Sequence, residues 1–374
     1  MGAHSEKGPS SSSRWIHCTP SAKLCADMPD QVTSFAEEGT QAHELCEYLL
    51  KKEMGIEMED PRGGLSYYNQ EMEECCQGYH DYVMELYEEA KKITNDPVLL
   101  VEQRISYERF VSGGFGTADC VIIADRVLNV VDFKYGMGVE VDAKGNTQMR
   151  IYALGALEIF DALYDVDRVK MTIYQPRKAN ISVDEISRDE LYEWAETVLK
   201  PAAEEADRGD GEFHAGDWCR FCKARHICRE RAKENLALAA YDFASPPLLD
   251  DEEIVEILGK VDKLIAWAND VKEYALQEAV GGRDWPGYKL VAGRSIRKYV
   301  NEKEVAEAVE ATGYDPYLKK LLPITDMEKM LGKKKFEEIL GKLVVKPEGK
   351  PVLVKADDKR PPINNAKEDF KEES

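Results

Sequence analysis

The run Val127-Leu128-Asn129-Val130-Val131-Asp132-Phe133-Lys134-Tyr135 constrains the fold more than any other stretch of this chain. Its apolar, β-branched character predicts a buried strand. Residues two apart on a strand share a face, so Asp132 and Lys134 project together while Phe133 turns to the opposite side. A carboxylate and an ammonium at the end of an apolar strand are costly to bury unless they serve some purpose there. Just upstream lies Gly116-Thr117-Ala118-Asp119, followed by the apolar Cys120-Val121-Ile122-Ile123, with Asp125-Arg126 as a turn between the two strands. A hairpin of this kind brings Asp119 near Asp132 and Lys134. Two carboxylates and a lysine form a divalent-metal site with a built-in cation.

Around this pair the pattern predicts an α/β domain with a mixed central sheet flanked by helices. Residues 31–55 and 66–93 read as amphipathic helices. Strands follow at 98–110, 117–124 and 127–135. The glycines 136, 138 and 145 mark a loop, and a helix covers about 147–161. Val169 to Tyr174 is a further strand. Ser187-Arg188-Asp189-Glu190 is a capping-box signal for a helix running to about 206. Residues 1–10 read as a flexible N-terminal tail, 11–240 as the main domain, and 241–253, with Ser245-Pro246-Pro247, as a linker. Residues 252–345 read as a mainly helical C-terminal module that begins with a long amphipathic helix over 252–280. Residues 285–299 alternate like a hairpin, and 346–374 read as a disordered charged tail.

Several motifs resemble the PD-(D/E)XK nuclease superfamily, in the version carried by RecB-like and AddB-like exonucleases. Asp119 and the Asp132-x-Lys134 element are the first. Gly39-Thr40-Gln41-Ala42-His43 is similar to that branch's upstream helix motif, and Gln148-Met149-Arg150-Ile151-Tyr152 to its downstream Gln-x-x-x-Tyr motif. Cys219-Arg220-Phe221-Cys222 with Cys228 resembles the C-terminal part of an iron–sulfur staple. Arg14 to Pro20, containing Cys18, resembles the segment that supplies the remaining cysteine. The likeness covers about residues 11–235, with Ala118 where the superfamily has proline and Asp132 as the second acid. It implies a restriction-endonuclease-like core and a phage or prophage nuclease-like protein that processes DNA ends in recombination or replication.

On that reading Asp119, Asp132 and His43 hold Mg²⁺ or Mn²⁺, and the imidazole tilts the site toward Mn²⁺ over Ca²⁺. Lys134 orients or helps deprotonate the attacking water and offsets charge in the transition state. Gln148 and Tyr152 are four apart on one helix, share a face, and position substrate or Lys134. Three clustered cysteines cannot fill a four-coordinate site. Cys18 is the fourth by resemblance, and His214, His226 and Cys25 are rivals. Four thiolates suit a 4Fe–4S cluster or Zn²⁺, and the resemblance favours the cluster. The alternatives are a non-catalytic DNA-binding or assembly protein that keeps the fold, and an endonuclease.

The net charge of −21 over 374 residues argues against indiscriminate binding to nucleic acid. Arg220, Lys223, Arg225, Arg229, Arg231 and Lys233 make 219–233 locally basic, which suits DNA entering one groove. No segment approaches the roughly 20 apolar residues of a membrane span, and Met1 to Ser13 lacks the apolar stretch of a signal peptide. A cytoplasmic location in a bacterial host cell follows as the expectation, and there nine cysteines do not suggest disulfides. DNA ends are the expected partner, with a phage recombination protein, a single-strand-binding protein or an oligomer mate as further candidates.

Overall fold

The computed structural model describes residues 5–29, 33–160, 162–238, 249–292, 300–317 and 321–345. The chain divides into two units, Met1–Val291 and Ala292–Ser374. The first is built on a five-stranded mixed sheet in the order β1 (Val98–Ser106), β2 (Phe115–Ala124), β3 (Arg126–Phe133), β4 (Val166–Gln175), β5 (Asn180–Ser187). The first three strands form an antiparallel meander. β3 pairs parallel with β4, and β4 antiparallel with β5. The parallel step requires a crossover, and helix α5 (Thr147–Phe160) supplies it.

Helices pack on both faces, as the unbroken apolar runs of β2 and β3 require. Preceding the sheet are α1 (Ser12–His17), α2 (Ser21–Ala26), α3 (Ser34–Glu53) and α4 (Gln70–Ile93). On one face Leu45, Leu50, Tyr79 and Val83 of α3 and α4 meet Ile122, Val131 and Phe133. On the other face Met149, Tyr152, Leu154 and Leu157 of α5 meet Ile105, Val121, Val130 and Met171. Gly155 explains how closely α5 lies on β1: a Cβ there would fall 2.0 Å from Ile105 Cγ2 and 2.8 Å from the Ser106 carbonyl oxygen.

After β5, helices α6 (Arg188–Trp194) and α7 (Lys200–Arg208) join through a π-helical turn, Ala195–Leu199. The expected capping box at Ser187 and Glu190 is present in full. Then come α8 (Arg229–Leu236) and the long α9 (Asp251–Val280). α9 packs on α8, and its Asp270 takes Arg225 Nε at 3.2 Å and an Arg231 terminal nitrogen at 2.6 Å. The second unit contains α10 (Glu302–Glu310), α11 (Ile324–Leu331) and α12 (Lys333–Leu340), with Ala306 and Phe336 buried.

Four expectations change. Residues 5–10 are not a free tail: Lys7 is buried in an ion pair with Asp207, its carbonyl accepts the Tyr107 hydroxyl at 3.0 Å, and Trp15 Nε1 donates to the Gly8 carbonyl. A buried indole and phenol each need a partner, and this segment supplies both. The boundary between units falls after α9 rather than before it, because the arginine–Asp270 fork ties that helix to the main body. Trp285 to Ala292 forms a turn and irregular chain rather than the first arm of a hairpin, and 293–299 lie outside the described residues. β5 was absent from the pattern reading because it is an edge strand of alternating, half-polar residues. Of the expected linker at 241–253, residues 241–248 lie outside the described residues and Asp251 to Glu253 already open α9, and the tail at 346–374 lies outside the described residues.

Candidate metal centre

The β2–β3 hairpin carries its register to the site. The ladder pairs Cys120 with Val131, so the next position sets Asp119 across from Asp132. Asp119 Oδ2 accepts the Phe133 backbone N–H at 2.7 Å, which fixes its carboxylate at the end of β3. Lys134 extends the strand by one bond, from its N–H to the Tyr174 carbonyl at 2.9 Å. Its ammonium lies 2.8 Å from Asp132 Oδ2. Phe133, on the other face, meets Tyr79 at 5.0 Å between ring centroids and the edge of His43 at 5.5 Å.

Helix α5 delivers Gln148 between the acid and the base. Gln148 Nε2 donates to Asp132 Oδ1 at 3.0 Å, and its Oε1 accepts from Lys134 Nζ at 3.3 Å. One turn on, the Tyr152 hydroxyl accepts from the same Nε2 at 3.5 Å. Asp132 is buried, and its Oδ2 has the lysine as ion-pair partner but no well-aligned hydrogen bond among the described residues. An under-coordinated buried carboxylate oxygen is a ready ligand for a hard cation. Gly116 lets Pro9 and Tyr152 pack closely on β2, since a Cβ there would sit 2.6 Å from Pro9 and 3.2 Å from the Tyr152 ring.

Helix α3 reaches the site with His43. Its Nδ1 lies 3.6 Å from both Glu102 Oε1 and Asp119 Oδ2. Among the described residues, the ligand atoms of His43, Glu102 and Asp119 form the one trio lying within 4.8 Å of one another. Glu102 was not anticipated. The signal was nonetheless present: a carboxylate interrupts the apolar run Val98-Leu99-Leu100-Val101 of the strand that pairs with β2.

Crowding of acids sets the electrostatics. Burial disfavours the His43 cation, but Asp119, Glu102 and Asp132 overcome it and raise the imidazole to about 9. Burial, then the repulsion of Asp132, lifts the Asp119 carboxyl to about 7 against the pull of His43 and Lys134. Burial also works against the Lys134 cation, yet Asp132 and Asp119 hold its ammonium above the ordinary lysine range. The site therefore holds protons where a divalent cation would replace them.

A second cluster lies between the N-terminal strap and the segment before α8. Cys18, Cys219, Cys222 and Cys228 line one narrow cavity with Arg14, Arg225, Arg231 and Trp218. His17 stacks on Trp218 at 4.5 Å, and Lys223 Nζ donates to the Met28 carbonyl at 2.9 Å, so the two segments are joined at two places. His214 also borders the cavity, whereas His226 stacks on Tyr274 of α9 at 4.1 Å. Cys25 lies just behind, its Sγ 3.8 Å from that of Cys222. No three of the described thiols lie within 4.8 Å of one another. Four thiols lining one cavity are a donor set for a thiolate-bound metal group. Cys46 and Cys120 are buried small core residues, as their apolar surroundings imply.

Among the described residues no helix is long and apolar enough to cross a membrane. Residues 4–361 match the family described as "Protein of unknown function (DUF2800)", and the chain belongs to that family. A solved structure titled "Crystal structure of SSO0001" is similar over 59% of this chain and 96% of that chain, at 14% identity and a TM-score of 0.25.

Proposed function

We propose that this chain is a Mg²⁺- or Mn²⁺-dependent deoxyribonuclease that hydrolyses phosphodiester bonds from DNA ends. One observation carries the reading: Gln148 bonds both Asp132 and Lys134, while Asp119, Glu102 and His43 gather beside them. Acid ligands, a lysine and a histidine from four elements meet where β3 ends, midway along β1 and β2. That arrangement matches the roles implied by the resemblance to RecB-like nucleases and adds Glu102 to the acids.

His43, Glu102, Asp119 and Asp132 would hold the cation. When bound, it supplies Lewis acidity, making a water nucleophilic at neutral pH and drawing charge from the phosphate. The chain's own groups do the rest. Lys134 is kept cationic by Asp132 and Asp119, and so is suited to orient a water and to offset charge that develops on the phosphate oxygens. Gln148 fixes the lysine's direction by bonding it and its partner acid together. Tyr152 buttresses Gln148 through the shared amide nitrogen and is itself held by the α5 core.

The four-cysteine cavity supports a structural 4Fe–4S cluster on Cys18, Cys219, Cys222 and Cys228. Arg14, Arg225 and Arg231 around the cavity would offset the negative charge of such a group. The staple would join strap and core across some 200 residues of chain. A role in phage recombination or replication, with a recombination or single-strand-binding protein as partner, belongs to this proposal. The test is incubation with 5′- and 3′-labelled linear and circular DNA in Mg²⁺, Mn²⁺ or EDTA. Metal-dependent loss of linear DNA alone supports the assignment. Cutting of closed circles makes it an endonuclease, and no cutting at all makes it a binding protein with a nuclease-like site.

A further inference from the structure

Five cysteines, one more than a four-thiolate group takes, meet where the strap joins the core. The fifth, Cys25, is on α2, is buried, and packs with Cys222, Ala224 and Met28 in a small apolar cluster of its own. Its Sγ is 3.8 Å from Cys222 Sγ, although 197 positions separate the two in sequence. Their backbones are held independently. The Met28 N–H bonds the Cys25 carbonyl, the Cys222 N–H bonds the Cys219 carbonyl, and Lys223 Nζ caps the Met28 carbonyl across the junction. A disulfide needs its sulfurs near 2.05 Å, so closing this gap takes a shift of about 2 Å.

We propose that Cys25 and Cys222 form a peroxide-sensitive dithiol, which closes to a disulfide when Cys222 is not held by a metal group. The step balances with a peroxide as oxidant. The thiolate of one cysteine attacks a peroxide oxygen, the O–O bond breaks, and a sulfenic acid and a hydroxide result. The second thiolate attacks that sulfur, an S–S bond forms, and the sulfenic oxygen leaves as a second hydroxide. Protons from the two thiols convert the hydroxides to water. In sum two thiols and hydrogen peroxide give one disulfide and two waters. Cys222 is the shared atom source: it serves the four-cysteine cavity or the disulfide, never both. Either state links α2 or α1 to the segment before α8, so the strap stays fastened after oxidative loss of a cluster.

The test uses the full chain, freed of iron by a chelator under argon, then treated with stoichiometric hydrogen peroxide. Remaining thiols are capped with N-ethylmaleimide, and intact mass and non-reducing peptide mapping follow. With nine cysteines in the chain, the expected product carries seven maleimides, a Cys25–Cys222 cross-linked peptide, and a higher Tm than the reduced apoprotein. Cys25→Ser, with Cys25→Ala as a second version, is expected to lose the cross-link and the Tm gain while keeping any iron chromophore. Nine maleimides, or a cross-link among Cys18, Cys219 and Cys228, overturns the proposal. Loss of the chromophore in both Cys25 variants does so as well, by making Cys25 a ligand. A protein that is free of iron when purified goes directly to peroxide, and the same map decides. Failure of the cluster or nuclease reading is thus separate from failure of this one.

Discussion

Glu102 and Asp119 stand opposite each other in the β1–β2 ladder, between the Val101–Cys120 and Gln103–Ala118 pairs, and Glu102 takes a left-handed backbone with φ of 50°. A non-glycine residue there costs on the order of 1 kcal/mol. The twist turns the side chain to His43 Nδ1, 3.6 Å away, instead of leaving it in line with its strand. Strain kept at a carboxylate beside two other ligand candidates points to a site rather than a surface.

Glu102→Gln keeps size and shape but removes the charge. We expect its affinity for Mn²⁺ to fall roughly tenfold or more, as for loss of one anionic ligand from an oxygen-rich site, with Tm in EDTA changed by no more than a few degrees. Calorimetric titration with Mn²⁺ checks it. Unchanged affinity removes Glu102 from the site.

Lys134→Ala is expected to lower DNA turnover by about 10² to 10⁴, the usual range for a proton-transfer or charge-stabilising group, while Mn²⁺ still binds. Asp132→Ala is expected to lose both turnover and tight binding. It also leaves the ammonium without its 2.8 Å partner, so the comparison needs Asp132→Asn as the gentler change. Gln148→Ala should cut turnover by less than Lys134→Ala, because the ion pair survives without its bridge. Single-turnover assays alongside metal titrations separate these outcomes.

The site was legible where one element fixes the geometry. Asp132 and Lys134 share a face by strand alternation alone, and Gln148 and Tyr152 by helix spacing, so their meeting required only that α5 cover β3. Glu102 was legible only as a carboxylate set against an apolar strand; that it turns to His43 depends on a left-handed kink that no propensity at Val101-Glu102-Gln103 announces. The strap was misread for a related reason. Residues 5–10 look like a tail until Tyr107 and Trp15, distant or apolar in sequence, are seen to need their carbonyls. β5 lacks the apolar run that marked β2 and β3, since alternate residues along it face solvent.

Metal binding should strengthen with pH. His43 is raised to about 9 and Asp119 to about 7. Both must be deprotonated to ligate, so a cation competes with protons at both positions. Apparent affinity for Mn²⁺ is therefore expected to climb steeply from pH 6 to 7, less steeply to pH 9, and to level off above. Proton release on binding, measured by titration in buffers of different ionisation enthalpy, should approach two per site at pH 6 and decline toward zero above pH 9. In His43→Asn proton release at pH 6 should fall to about one per site, and the remaining rise should move to higher pH, because the Asp119 carboxyl loses the pull of the imidazolium. A pH-independent affinity contradicts the assignment of these ligands.

Replacing Cys18, Cys219, Cys222 or Cys228 singly by Ser is expected to remove the broad absorbance near roughly 400 nm that thiolate-bound iron–sulfur groups give. Tm should fall together with it, since the strap then keeps only its non-covalent ties, among them the His17–Trp218 stack, the Lys223–Met28 bond and the Lys7–Asp207 pair. Cys75→Ser, on α4 and away from the cavity, should change neither. A colourless wild-type protein with one zinc per chain moves the site to zinc and leaves the nuclease proposal intact.

Selectivity for ends follows from charge. At −21 the chain repels duplex DNA over most of its surface. Productive contact must then be short and local, next to Lys134 and the metal ligands, where cations neutralise a few phosphates. A free end threads into such a site without bringing a long duplex against the acidic body, whereas a closed circle must present an internal stretch. Linear DNA should thus be consumed from its termini while covalently closed circles survive, and the rate should drop several-fold between 50 and 200 mM salt, as a contact with few phosphates requires. A slope steep enough for six or more phosphates, or equal rates on circles and linear DNA, contradicts local entry and assigns the chain internal cleavage instead.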